Sequence, residues 1–342
     1  HVHRLRALTD VRAMIRNPVS VFERYRQELG PTFSFHLGGT KPAIVSTDPD
    51  FIHHVLQKNH ANYHKSDIQT ERMAEFQGQG LLNSHGEAWF RQRRFLAKGF
   101  LRSRLATLLP LQRDVMDAAM AGFAERAKEG PVDIYHEMVE VTLKLVGKSL
   151  FGCQISDQEL QVIATAVSDI QSFIVRQIVQ PYMIPWFRLS GQSAHYQQIR
   201  IDGDKLVAAY IERRRNEGGN ESDLLKHMLE TPLEDTGEPM SESQVLIETL
   251  QLLIAGNETS SNALTWTFYL LAKNPEYIGR IRAEIEAATG DGPLDFNALH
   301  GLGFTLQVID EALRLYPPFW MIDRTAMGDD EINGIHIPKG IT

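Results

Sequence analysis

The chain has 342 residues, 43% of them hydrophobic and 23% charged, enough apolar material for a sizeable soluble core. Its 35 Lys+Arg against 43 Asp+Glu leave a net charge of −8, which excludes a broad basic footprint and with it a nucleic-acid partner. A single cysteine, Cys153, excludes an intramolecular disulfide and points to a reducing, cytoplasmic setting. No apolar run reaches the length of a membrane span. An anchor before His1 is left open because the chain starts without an initiator Met.

The first predicted element is a helix in VSVFERYRQELG. TFSFHLGGTKPAIVST then alternates apolar and polar residues about Gly38-Gly39, as a β-hairpin does. From Pro49 to about Lys273 the period is mostly helical, interrupted by loops such as EFQGQG, KEGP, NEGGNE and LEDTGEP. His60 and His64 stand four apart, but without a third ligand they read as a surface pair. In WFRQR, Trp89 and Arg93 project from one side of a helix, while Arg91, Arg94 and Lys98 form a basic stripe on the other. That stripe is either a solvated face or a docking patch for an acidic protein. Cys153, in SLFGCQIS, reads as a small buried hydrophobe.

The longest helix is the best delimited. Ser241 and Gln244 form a plausible capping box, and Lys273-Asn274-Pro275 is a stop signal. About thirty residues at ~1.5 Å each give ~45 Å, so this helix is expected to be central. Its middle reads IAGNETSSN, where polar residues are costly unless paired. Ala255 and Gly256 leave room beside the helix for a flat ligand. A Thr259 hydroxyl can bond the preceding turn and loosen the axis. Glu258 beside Thr259 could pass protons into a dry cavity, and a kink with a solvated notch explains the same residues.

After the long helix, EALR places Glu311 and Arg314 at i, i+3, where carboxylate and guanidinium can pair. LYPP stops that helix, and Arg324 follows six residues after Pro318. DDEINGIHIPKG carries an Asn-Gly turn between short apolar strands. The whole is a mainly α protein with a small β region built from both ends of the chain. Neither a phosphate loop nor a nucleophile elbow is present.

Taken together, AGNETS, EALRLYPP with its downstream arginine, and WFRQR resemble the cytochrome P450 family in identity, order and spacing, over essentially the whole chain. The resemblance implies the P450 fold as a single domain over 1–342 and a haem cofactor, haem b. It implies a central distal helix on which Ala255 and Gly256 line the oxygen site, with Glu258 and Thr259 as the acid-alcohol pair delivering protons. Glu311 and Arg314 match a structural ion pair that holds the core under the haem. Trp89, Arg93 and Arg324 match donors to the haem propionates. A substrate pocket is expected from Met73, Phe76 and Leu82, from Phe173, Ile174 and Ile178 in the apolar segment IQSFIVRQIVQPYMIPWF, and from Phe319, Trp320 and Met321.

One departure matters. The family's axial ligand is a cysteine in a glycine-rich loop, and no such loop occurs before Thr342; Cys153 lacks the flanking glycines. The ligand is expected beyond Thr342, so the fold is read as incomplete at the C-terminus and the fragment alone as inactive, with Glu311–Arg314 a buried pair short of a partner. The function implied is monooxygenation of a lipophilic small molecule, fatty-acid-like or terpenoid-like, by a monomer supplied with electrons by a ferredoxin, flavodoxin or flavin reductase. Two alternatives are a non-catalytic binder of hydrophobic ligands on the same scaffold and a peroxide-rearranging isomerase, which Thr259 disfavours.

Overall fold

Gly38 and Gly39 meet two demands at once in the hairpin turn. Both adopt positive φ, 55° and 73°, and a side chain on either would collide with Pro181 or Leu8, respectively, at about 2.3 and 2.5 Å. The turn joins β1 (Thr32–Leu37) to β2 (Lys41–Ser46), antiparallel with Phe33 opposite Val45 and Phe35 opposite Ala43. The structure, a computed structural model, describes residues 1–39, 41–152, 156–217, 223–290 and 292–342. Cys153 and the middle of the NEGGNE loop lie outside the described residues.

Two units are distinguished, the first formed by His1–Gln92, Thr165–Lys205 and Ile322–Thr342. Its core packs Phe33, Phe35 and Ala43 of the hairpin on Val21 and Tyr25 of the helix Pro18–Leu29, together with Val11, Met14 and Val179. The sequence-distant ends meet here as expected. Strand β3 (Tyr63–His64) pairs with β4 (Thr325–Ala326), and the Ile44 N–H donates to the Thr342 carbonyl. Strands β5 (Asp330–Ile332) and β6 (Ile335–Ile337) flank Asn333-Gly334, whose φ values of 52° and 77° are those of a two-residue hairpin turn.

The second unit comprises Arg93–Ala164 and Leu206–Met321. Its axis is the helix Glu242–Lys273, 32 residues and roughly 48 Å long. Ser241 caps it, accepting from the Gln244 N–H at 3.3 Å. At the other end Asn274 closes the helix on the Leu270 and Leu271 carbonyls. Helices Ile134–Phe151, Leu224–Glu230 and Gly303–Leu315 pack directly on this axis. Gly152 ends the first of these at φ +63°, where a side chain would strike the Asp223 carboxylate.

Candidate functional site

The polar residues in the middle of the central helix are satisfied within their own unit. Thr142, on Ile134–Phe151, donates to the Met138 carbonyl at 2.7 Å and to Asn257 Oδ1 at 2.5 Å. Asn257 therefore belongs to a buried helix–helix contact. Gly256 faces the same neighbour: a Cβ there would lie 2.9 Å from Val146. The missing side chain thus serves a close helix crossing against Val146.

Ala255 and Thr259, one turn apart and both half-buried, are joined by a hydrogen bond from Thr259 Oγ1 to the Ala255 carbonyl at 2.7 Å. The expected back-bond is present, yet the axis does not open, since the helix is continuous from Glu242 to Lys273. Similar bonds run from Ser261 and Asn262 to the Glu258 carbonyl. Glu258 lies close enough to Tyr135 that, with burial as the larger cause and Asp133 assisting, it raises the phenol's pKa. An acid, a hydroxyl and a phenol therefore share this part of the second unit.

In the first unit, the segment Tyr63–Gln69 gathers two of the expected cofactor ligands. The Lys65 ammonium lies 5.7 Å from the centre of the half-buried Trp89 ring and donates to the Leu81 and Leu82 carbonyls at 2.8 Å. His64 pairs with Thr325, directly after Arg324. Ser66 and Gln69 hold Asp323, directly before it. Arg324 itself is half-buried and donates from Nη1 to the Asp323 carbonyl at 2.7 Å. Sequence reading missed Lys65, Ser66, Gln69 and Asp323. Only Asp323, adjacent to Arg324, had a local cue; the bond from Ser66 spans 257 positions.

Arg93 is exposed, one turn beyond Trp89 on the helix Gly86–Ala97. The basic stripe on that helix is not bare: Glu234 bridges Arg94 at 3.0 Å and Lys98 at 2.9 Å. Of the expected pocket residues, Phe76, Phe173 and Ile174 form one buried cluster with Met73 and Ile178 packed against it. Leu82, Phe319, Trp320 and Met321 are exposed and stand outside that cluster.

The Glu311–Arg314 pair forms as spacing requires, bidentate at 2.7 Å on both arms. Its expected burial is corrected: the side chains are 54% and 66% exposed. Among the described residues no cluster of three His, Cys, Asp or Glu could hold a metal ion, and no helix is long and apolar enough to cross a membrane.

A cytochrome P450 family model matches residues 8–342. The chain is 26% identical to pentalenene oxygenase of Streptomyces avermitilis over 96% of its own length and 72% of that protein's. It is 25% identical to cyclooctatin synthase of Streptomyces melanosporofaciens (88% and 65%) and 29% identical to cytokinin hydroxylase of Arabidopsis thaliana (89% and 60%). The heme domain of a cytochrome P450DA mutant superposes with a TM-score of 0.79 at 25% identity, over 94% of this chain and 71% of that one. A retinoic acid-bound cyanobacterial relative gives 0.78 at 23% identity, over 95% and 71%. The chain thus spans about 60–72% of the length of these proteins.

Proposed function

Because the chain belongs to the cytochrome P450 family, we propose that it is, as a single family domain, the larger part of a haem-dependent monooxygenase acting on a lipophilic small molecule. The observation that carries the reading is the gathering of Trp89 and Arg324 onto one short segment of the first unit. An indole N–H and a guanidinium are both donors and suit a carboxylate of a haem b, and Arg93 is proposed by the family resemblance as a further donor. The haem, when bound, supplies dioxygen activation. A thiolate to hold the haem would come from a cysteine outside residues 1–342.

The remaining roles belong to side chains of this chain. Thr259 Oγ1 would relay a proton once its hydroxyl turns from the Ala255 carbonyl, to which it donates at 2.7 Å, and Glu258 would reload it. Gly256 and Asn257 fix the helix on which both stand by seating it on Val146 and Thr142. The cluster of Phe76, Phe173 and Ile174 excludes water and favours an apolar substrate. The names of the pentalenene and cyclooctatin relatives support a terpenoid-like substrate over a fatty-acid-like one. Electrons come from a ferredoxin, a flavodoxin or a flavin reductase. Glu234 tempers the stripe of Arg91, Arg94 and Lys98 on which such a partner would dock, by pairing with Arg94 and Lys98.

The test uses the full-length haem-loaded protein and the Thr259→Ala variant. Substrate-dependent electron consumption is expected to persist while product per electron falls, roughly 5-fold or more, with hydrogen peroxide appearing in its place. Undiminished coupling would remove Thr259 from the proton path.

A further inference from the structure

We propose that Ser66 and Gln69 are positioning residues for the cofactor: by clamping Asp323 they keep Arg324 aimed and its charge available. The proposal rests on the haem reading above.

Arg324 is preceded by a carboxylate that could neutralise it. That carboxylate is turned elsewhere. The fully buried Ser66 hydroxyl donates to Asp323 Oδ2, and Gln69 Nε2 donates to Oδ1 at 2.5 Å. Both oxygens of Asp323 are thereby engaged away from its neighbour.

The clamp is itself held. Ser66 Oγ accepts from the Ile68 N–H at 3.2 Å, while the Ser66 carbonyl accepts from the Gln69 and Thr70 N–H groups at 3.0 Å. Residue 325 is fixed on the other side of Arg324 by pairing with His64. The arginine is thus bracketed by one seven-residue segment.

What remains unspent points to an anion. A guanidinium carries five N–H donors. In Arg324 one goes to the Asp323 carbonyl, and among the described residues the other donors meet no protein acceptor, although the side chain is half-buried. A fixed, partly desolvated cation with free donors fits a carboxylate ligand such as a haem propionate. Loosening the clamp would free Asp323 to pair with Arg324 and compete for those donors.

The experiment is a double-mutant cycle on the full-length haem-loaded protein. It reads the rate of haem transfer to an apoglobin acceptor and the reduction potential of the iron. Arg324→Ala should speed haem release roughly 30-fold and Ser66→Ala roughly 5-fold. The two together should be no faster than Arg324→Ala alone, because Ser66 acts through Arg324. The potential should follow the same pattern, and Ser66→Thr, which keeps the hydroxyl, should restore both readouts.

Additive effects, or no effect of Ser66→Ala where Arg324→Ala has one, would overturn the clamp and leave the haem reading standing. Wild-type haem release in Arg324→Ala would remove Arg324 from the cofactor site and the clamp's role with it. If Ser66→Ala does not fold, Gln69→Ala enters the same cycle with the same expected outcomes.

Discussion

Two ion pairs of the second unit have the same chemistry and opposite surroundings. Arg214 and Asp223 are 9% and 0% exposed at their side chains; Arg314 and Glu311 are 66% and 54% exposed. The exposed pair is local, three residues apart on one helix. The buried pair joins the end of the helix Gln192–Glu217 to the residue that caps Leu224–Glu230. Spacing reveals that a pair can form, whereas its contribution depends on how much water has left it. A buried pair contributes little net stability over apolar residues of the same shape, yet losing one partner strands a charge. An exposed pair strands nothing when it breaks.

The largest effect is therefore expected from Asp223→Asn. The amide can still cap the helix by accepting from the Lys226 N–H, as Asp223 does at 2.8 Å. What disappears is the negative charge that Arg214 Nη2 meets at Asp223 Oδ2. A loss of about 3–5 kcal/mol is expected in urea unfolding. A loss well below 1 kcal/mol would show that water reaches Arg214 and that the contrast between the two pairs is overdrawn.

An intermediate case sharpens the scale. In the first unit, half-covered Asp330 accepts from Tyr63 Oη at 2.7 Å, His54 Nε2 at 2.9 Å and Asn59 at 3.0 Å. Burial alone would raise the pKa of this carboxyl, but hydrogen bonds from Tyr63, Asn59, the Glu331 N–H and His54 together outweigh it and hold it at about 2. The sign follows from linkage. A carboxyl depressed below its unfolded value of about 3.9 adds stability above that pH and loses it as the pH falls toward 2. Stability measured from pH 5 to pH 2 should drop by on the order of 1–2 kcal/mol more in the wild type than in Asp330→Asn. Equal slopes would mean that the network does not hold the charged form.

The same contrast explains what could be read from residues alone. The hairpin turns, the caps at Ser241 and Asn274, the back-bond of Thr259 and the Glu311–Arg314 contact are all local, set by neighbours within a turn or two. Each could be seen in its own stretch of sequence. Asn257 with Thr142, Gly256 with Val146 and Ser66 with Asp323 join distant segments, and no period or motif pairs them. The exposure of Glu311–Arg314 in this chain is not legible for the same reason, since i, i+3 spacing carries no information about which helix face is covered. A small residue in a long helix leaves space, and only the neighbouring helix shows that Val146 faces Gly256.

The smallest effect is expected at Glu311. Its carboxyl titrates below the usual range because Arg314 donates to it, and Arg314 is raised by the same bond, both against a weaker opposing cost of burial. These shifts describe a contact in water, where side-chain entropy and screening consume most of the attraction. In residues 1–342, Glu311→Gln should move the thermal midpoint by no more than about 1 °C, and 0.5 M salt should erase even that. A salt-insensitive drop of several degrees would mean that the pair is covered in solution, placing it beside Arg214–Asp223 and collapsing the distinction between the two. The same substitution in the full-length protein measures cover directly: a much larger loss there would come from residues that close over Glu311 and Arg314, since the pair's own geometry is already complete.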